Sequence, residues 1–166
     1  TFIKMMYNRI YFQIALCNEF VRETSEEKMT TRGFSEADKA KIRTFQAEIR
    51  YLRALSYYHA MDLFGNVPFV DEDDKPGSYM PDRIARADLF AYIESELKDV
   101  ENKLLDPTVV PYGRASKAAA QFVLAKMYLN AEVYIGANKY DECVTYCDKI
   151  MNPSNGFQLE TNYVKN

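Results

Sequence analysis

Glu48-Ile49-Arg50-Tyr51-Leu52-Arg53-Ala54-Leu55-Ser56-Tyr57-Tyr58-His59-Ala60-Met61-Asp62-Leu63-Phe64-Gly65-Asn66-Val67-Pro68-Phe69-Val70 is the stretch whose reading decides the fold. Its periodicity is helical. Ile42, Phe45, Ile49, Leu52, Leu55, His59 and Leu63 recur at steps of three and four, which predicts one apolar face. Tyr51, Ala54, Tyr58 and Met61 form a second apolar row beside it. A helix with two such rows is expected to be covered on more than one side. Gly65 can take the left-handed conformation that ends a helix, and Pro68 prevents its resumption. Val67-Pro68-Phe69-Val70 then leaves as a short extended piece.

Working outward, this helix reaches back to Ser35, where Ser35-Glu36-Ala37-Asp38 resembles a capping box and places acids at the positive end of the helix dipole. At ~1.5 Å per residue it is on the order of 40 Å long. A first helix is expected from about Phe2 to Glu27, with Ile3, Met6, Tyr7, Ile10, Ile14, Cys17 and Val21 as its stripe. Asn18 flanks that stripe, where burial would demand a hydrogen bond, read as one to neighbouring backbone. Gly33 marks the turn. Residues 71–83 read as a loop. A third helix, about Ala85 to Leu105, turns Phe90, Ile93, Leu97, Val100 and Leu104 inward. Glu94, Glu96, Lys98, Asp99, Glu101 and Lys103 form its solvated side, and Asp106-Pro107 stops it. Ser116 caps a fourth helix running to about Ile135, and Gly136 ends it. Asn138 is expected to cap a fifth, Lys139 to Met151, with Tyr140, Val144, Cys147 and Ile150 inward. Phe157-Gln158-Leu159 alternates, which predicts a short extended segment after residue 153.

An offset of 71 residues brings Ala47 onto Ala118, Ala54 onto Ala125, Tyr57 onto Tyr128, Ala60 onto Ala131 and Gly65 onto Gly136. A helix-loop-helix unit thus occurs nearly twice, with the fifth helix opening a third pass. Small residues at repeated contact points are how helical hairpins stack into arrays. Leu124-Ala125-x-x-Tyr128 is similar to the first helix of a tetratricopeptide repeat, but the units are longer than a compact ~34-residue repeat. The expected fold is all-α: a tetratricopeptide-like helical hairpin array, with residues 1–166 as one scaffold.

The 166 residues are enough for one domain with its own core, and 48% apolar with 27% charged residues is an ordinary globular balance. A net charge of -3 weighs against nucleic acid as partner, since phosphate binding needs a basic surface. No apolar run approaches the ~20 residues of a membrane helix. Thr1-Phe2-Ile3-Lys4-Met5 lacks the apolar core and cleavage site of a signal peptide. Glu160 to Asn166 offers no closing element, so the chain is expected to be a piece of a longer one.

Nothing in the sequence assembles a catalytic group, and the protein is expected not to be an enzyme and to need no cofactor. His59, the single histidine, falls on the apolar stripe and is read as a core residue. No serine or cysteine has a partnered base in a recognisable motif, and no glycine-rich phosphate loop occurs. No metal site is expected. Cys17, Cys143 and Cys147 are read as small core residues. The acidic run Asp71 to Asp74 lacks the alternation and central glycine of a calcium loop and is read as solvated. Arg50 and Arg53, with Glu48 close by, flank the central row. They are expected to bind loop or helix-end carbonyls and to pair with acids on a neighbouring helix rather than to hold an anionic ligand. Thirteen Tyr and ten Phe stand against no Trp; most Tyr fall on apolar faces, and a few exposed ones could stack on sugar rings.

These residues carry a resemblance. Glu48-x-Arg50-Tyr51-Leu52-Arg53-Ala54, then Tyr57, Leu63-Phe64-Gly65 and Val67-Pro68, resembles the signature helix of the SusD/RagB family. Tyr112-Gly113-Arg114-Ala115-Ser116-Lys117-Ala118-Ala119 with Leu124-Ala125-Lys126-Met127-Tyr128-Leu129 is similar to the same family. So are Tyr7-x-x-Ile10 with Ile14-x-x-Cys17-Asn18-x-Phe20, and Gly156-Phe157-x-Leu159 with Tyr163. The matches run in family order along the whole chain. The motif positions are Glu48, Arg50, Arg53, Tyr57, Gly65, Pro68, Gly113, Arg114 and Tyr128. The resemblance implies a surface lipoprotein of the outer membrane, anchored by a lipid outside this stretch. It would bind an oligosaccharide or polysaccharide, such as a starch-type glycan, and deliver it to a SusC-like TonB-dependent transporter. This stretch would be the helical scaffold that faces the transporter, with ligand contacts elsewhere in the longer chain. A peptide-binding RagB-like member and a soluble helical-repeat adaptor remain the alternatives.

Overall fold

In the computed structural model, which describes residues 1–74, 77 and 80–159, the deciding stretch ends the longest helix. That helix, α3, spans Glu36–Phe64. Its N-terminus is capped as expected: the Asp38 amide donates to Ser35 Oγ at 3.2 Å, and the Ser35 hydroxyl donates back to the Asp38 carboxylate at 2.7 Å. Upstream lie α1, Phe2–Glu23, and a short α2, Glu26–Thr31. The first helix therefore stops four residues sooner than the periodicity predicts. Thr24 folds its hydroxyl back onto the Phe20 carbonyl at 2.7 Å, and Ser25 accepts the Lys28 amide at 3.3 Å, which starts a new helix. Met29 on α2 is fully buried and holds the break in place.

After α3, Val67–Pro68 forms β1 and pairs antiparallel with β2, Arg83–Ile84, Val67 facing Ile84. The extended exit was legible; its partner strand, at the far end of the loop, was not. The array continues with α4 (Arg86–Glu101), α5 (Lys117–Leu129), α6 (Ala131–Ile135) and α7 (Tyr140–Met151). The fourth helix breaks at Asn130, whose side chain returns to the Lys126 carbonyl at 3.0 Å. Lys139, not Asn138, occupies the N-cap of α7, and no side chain caps it. Pro153–Asn155 is a 3₁₀ turn, and residues 156–159 follow without a paired strand. Tyr163 lies outside the described residues.

α3 packs on α1 and α4, and α5 packs on α4 and α7, so α3, α4 and α5 are each wedged between two other helices. The fold is the expected all-α hairpin array. Ile14, Tyr57, Met61, Ile93, Leu97, Leu124, Met127 and Tyr128 are completely buried in one continuous core. Full burial of side chains this size contributes about 1.5–3 kcal/mol each.

The repeat spacing holds in three dimensions. Ala47, Ala118, Ala54, Ala125, Ala60 and Ala131 are all buried, and Tyr57 and Tyr128 are fully so. Gly65 and Gly136 both end a helix at positive φ, 72° and 70°. They differ in ψ. Gly136 sits in the left-handed helical well at 13°, whereas Gly65 lies at -111°, outside that well, and turns the chain sharply into β1.

The face of α3 expected to be innermost is not. Phe45 and Leu63 are 41% and 54% exposed, and His59 is exposed as well. The buried face is made of Ala47, Arg53, Ala54, Ser56, Tyr57, Tyr58, Ala60 and Met61. It is built from small residues, which let α1 and α4 approach closely, and from tyrosines whose hydroxyls find partners. On α7 the expected inner residues Tyr140 and Val144 are likewise exposed, and Tyr146 is the buried one.

Candidate functional site

The densest polar arrangement gathers around Arg53, a fully buried cation in the middle of α3. Its guanidinium donates to Asn18 Oδ1 on α1 at 2.9 Å, to Glu96 Oε2 on α4 at 3.0 Å, and to the Glu72 carboxylate in the loop after β1. Arg50, one turn earlier, forks onto Glu96 through Nε at 3.0 Å and Nη2 at 2.5 Å, and reaches Asp99 at 2.6 Å. Burial would lower the pKa of both guanidiniums, but Glu96 and Asp99 around Arg50, and Tyr92 with Glu72 and Glu96 around Arg53, outweigh it and raise it. The Glu72 carboxyl, raised by burial, is held below the usual range by its bonds to Arg53.

The same cluster grips backbone. Asn18 donates to the Val70 carbonyl at 3.1 Å, as expected for a buried asparagine. The Tyr57 hydroxyl donates to that carbonyl at 2.6 Å and accepts the Val70 amide at 2.9 Å. Arg22 donates to the carbonyls of Glu72 and Asp74, at 3.0 and 2.9 Å. Tyr11 donates to the Pro68 carbonyl at 2.8 Å. The segment Pro68 to Asp74 is thus tied at five backbone groups to α1 and α3, which fixes where the following loop emerges.

Glu48 and Arg114 pair at 2.7 Å, with the Arg114 guanidinium 4.9 Å from the Phe45 ring. Gly113, at φ 80°, turns the chain so that Arg114 meets α3. The Tyr128 hydroxyl donates to Glu94 at 2.7 Å, and the Lys98 and Lys139 ammoniums stand 5.8 and 5.3 Å from its ring. The structure therefore brings Arg50, Arg53 and Tyr57 into one cluster, with Glu48–Arg114 and Tyr128 at separate helix contacts.

Two groups were misread from sequence. Glu72, expected in a solvated acidic run, is an ion-pair partner of a buried arginine. Glu96, Glu94 and Glu101, expected on a solvated face, are only 14%, 17% and 10% exposed in their side chains and are all paired. A buried arginine demands such partners, and Glu96 lies beside the inward Ile93 and Leu97 on α4. Those are the signals that could have found it.

No grouping of three or more His, Cys, Asp and Glu that could hold a metal occurs among the described residues. Cys17 is buried, and burial pushes its thiol up to about 11. Cys143 and Cys147 are half-buried free thiols. His59, expected in the core, lies at the rim of an open groove between α1 and α3; partial desolvation and the Lys126 ammonium lower its pKa. Tyr112 is fully exposed, and Tyr51, Phe122 and Phe157 wall a shallow groove of about 400 Å³ beside Ser116. None of the described helices is long and apolar enough to cross a membrane.

The buried arginine cluster ties together three elements of a helical hairpin array, α1, α3 and α4, and the loop after β1. Residues 2–129 match the family model described as "Starch-binding associating with outer membrane", so the chain belongs to the SusD-like family. It is 34% identical over 158 residues to the starch-binding protein SusD of Bacteroides thetaiotaomicron, covering 95% of this chain and 26% of that protein. Among solved structures it is similar to a SusD-like carbohydrate-binding protein from Bacteroides fragilis, with a TM-score of 0.73 and 24% identity over 92% of this chain and 28% of that one. A protein crystallised with a xylogluco-oligosaccharide gives a TM-score of 0.77 at 23% identity, over 96% of this chain and 31% of that one. At that identity the structural matches show the fold. The chain spans about a quarter of the length of the curated relatives it matches.

Proposed function

We propose that this chain is the helical scaffold of a SusD-like protein that binds a glycan at the outer membrane and passes it to a TonB-dependent transporter. The observation that carries the reading is the family match over residues 2–129 together with the 34% identity to a starch-binding relative. The fold supports it, because the polar clusters join helices and brace the loop after β1. Of the motif residues, Glu48, Arg50, Arg53, Tyr57, Arg114 and Tyr128 act as those braces, and Gly65 and Gly113 turn the chain between them, with Pro68 in β1. The protein works as a binder, not a catalyst, and is held at the cell surface by a lipid anchor outside this stretch. The ligand is an oligosaccharide or polysaccharide, contacted mainly by parts of the longer polypeptide outside these residues.

Affinity gel retardation with soluble starch and xyloglucan tests this, using the full-length polypeptide with the 166-residue chain alongside. Retardation of the full-length polypeptide alone is the expected result. Retardation of the short chain would place a sugar platform on the groove walled by Tyr51, Phe122 and Phe157. Retardation of neither, with capture of peptides instead, would overturn the glycan reading in favour of a peptide-binding member.

A further inference from the structure

Cys143 and Cys147 lie one turn apart on α7, on the side that also carries Tyr146. Tyr146 is buried, whereas both cysteines are half-buried and pack against the rim of the core. Residues i and i+4 of an α-helix stand on one face, one above the other, so the two thiols are neighbours. Burial, and then the Cys147 thiol beside it, push the Cys143 pKa up. Cys17 differs on both counts. It stands alone on α1 and is 3% exposed, which is the place of a small apolar core residue.

Both thiols of the pair are free, and the helix explains why. Cβ atoms four residues apart on a helix are separated by about 5–6 Å. A disulfide needs about 3.5–4.5 Å. Joining sulfur to sulfur would deform the turn, and Tyr140–Met151 contains no glycine or proline to ease that. An atom set between the sulfurs removes the mismatch, because two metal–sulfur bonds of about 2.3 Å each span the wider gap. Thiolate ligands select soft ions such as Cu(I). Zinc wants four ligands, and among the described residues no third His, Cys, Asp or Glu joins the pair. An ion satisfied by two sulfurs in line is what the spacing fits. The apolar rim on one side keeps water off the ion, and the half-exposed side gives it a way in.

The geometry points to Cys143 and Cys147 as a two-sulfur binding site for Cu(I), apart from the polar clusters that brace α3 and α4. On binding, each thiol gives its proton to solvent and each sulfur forms one bond to the metal. Copper enters and stays as Cu(I), so nothing is oxidised or reduced.

Anaerobic competition for Cu(I) against bicinchoninate tests this on the full-length polypeptide, unaltered and as Cys143→Ser, Cys147→Ser and Cys17→Ser. Loss of even an outer-shell partner costs a metal site about 10–100-fold in affinity, so loss of a ligand itself should cost at least about a hundredfold. That weakening is expected in Cys143→Ser and in Cys147→Ser, with Cys17→Ser holding copper as tightly as the unaltered polypeptide. Unchanged retention in either of the first two variants would overturn the inference, because a single thiol would then suffice. Copper X-ray absorption on the unaltered polypeptide, loaded with one equivalent of Cu(I), should show a shell of two sulfurs. A third donor in that shell would overturn the two-sulfur site, and this reading holds even where a serine variant folds poorly.

Discussion

Arg53 on α3 and Glu96 on α4 meet at 3.0 Å, and the same Glu96 oxygen also accepts Arg50 Nε at 3.0 Å. One half-buried carboxylate therefore holds two arginines, and the deeper arginine holds α1 and the loop after β1 in turn. Removing Arg53 leaves Glu96 with one of its two guanidiniums and strips Asn18 and Glu72 of a donor. Breaking a buried ion pair from one side costs about 3–5 kcal/mol. Arg53→Leu is expected to lower unfolding free energy by that order in urea denaturation. Arg53→Lys should recover only part of it, because an ammonium lacks the planar fork that serves three acceptors on three elements. A loss under ~1 kcal/mol for Arg53→Leu would fall in the range of an exposed pair and refute the bracing role.

The long helices were legible because each carries a period of three and four and most carry an end signal, such as Ser35, Gly65 or Gly136, whereas the short α2 and the break at Asn130 were not. What the period could not tell was which side of α3 faces inward. Ile42, Phe45, Leu52, Leu55 and Leu63 outweigh Ala47, Ala54 and Ala60 in apolar bulk, yet the alanine face is buried. Helix approach is limited by size, so the small residues mark the contact, and the bulky row lies at its edge, with Leu55 half-buried against the core and Phe45 and Leu63 exposed. The arginines were readable as braces, but their partners were not. Glu72 lies 19 residues and Glu96 43 residues from Arg53, and only the folded chain brings them together.

Tyr57→Phe removes a hydroxyl that both donates to and accepts from Val70. The ring stays packed 5.2 Å from Phe69, so the change isolates the hydrogen bonds. The Val70 carbonyl keeps Asn18 as a donor, but its amide loses its acceptor, and a buried donor left unpaired costs about 1–3 kcal/mol. The expected signature is a lower melting temperature together with faster amide exchange at Val70. Tyr128→Phe, at the equivalent repeat position, should leave exchange at Val70 unchanged, since its hydroxyl bonds only Glu94.

Acid should loosen the ion-pair network in a defined window. Glu72 is held below the ordinary carboxylate range by Arg53 against the effect of burial, and Asp99 is held down by Lys103 and Arg50. A carboxyl with a depressed native pKa contributes stability that is fully present above its unfolded value, roughly pH 4–4.5, and is lost as pH falls through the native value. The contribution of these carboxylates to the melting temperature is expected to be flat from pH 7 to 5 and to fall below ~4.5. Glu72→Gln should melt lower at pH 7 and show a shallower acid slope. At the alkaline end, burial and Glu101 push the Tyr146 phenol up to about 12. Its contribution is complete below ~10, the unfolded value, and declines as pH climbs above it.

Gly65 and Gly136 occupy matching repeat positions but different backbone wells, and this sets up a paired test. No atom lies within 4 Å of where a Cβ would stand at either site, so the cost of a substitution is conformational alone. Gly136 is in the left-handed helical well, which asparagine tolerates. Gly65, at φ 72° and ψ -111°, is in a region that a Cβ disfavours more strongly. Gly136→Asn should therefore be nearly neutral, whereas Gly65→Asn and Gly65→Val should each cost about 1–3 kcal/mol. For a chain of this size each kcal/mol appears as roughly 2–4 °C in melting temperature. Equal shifts for the two asparagine variants would mean that the turn into β1 relaxes around residue 65, and that this glycine is not what starts the segment held by Tyr11, Asn18 and Tyr57.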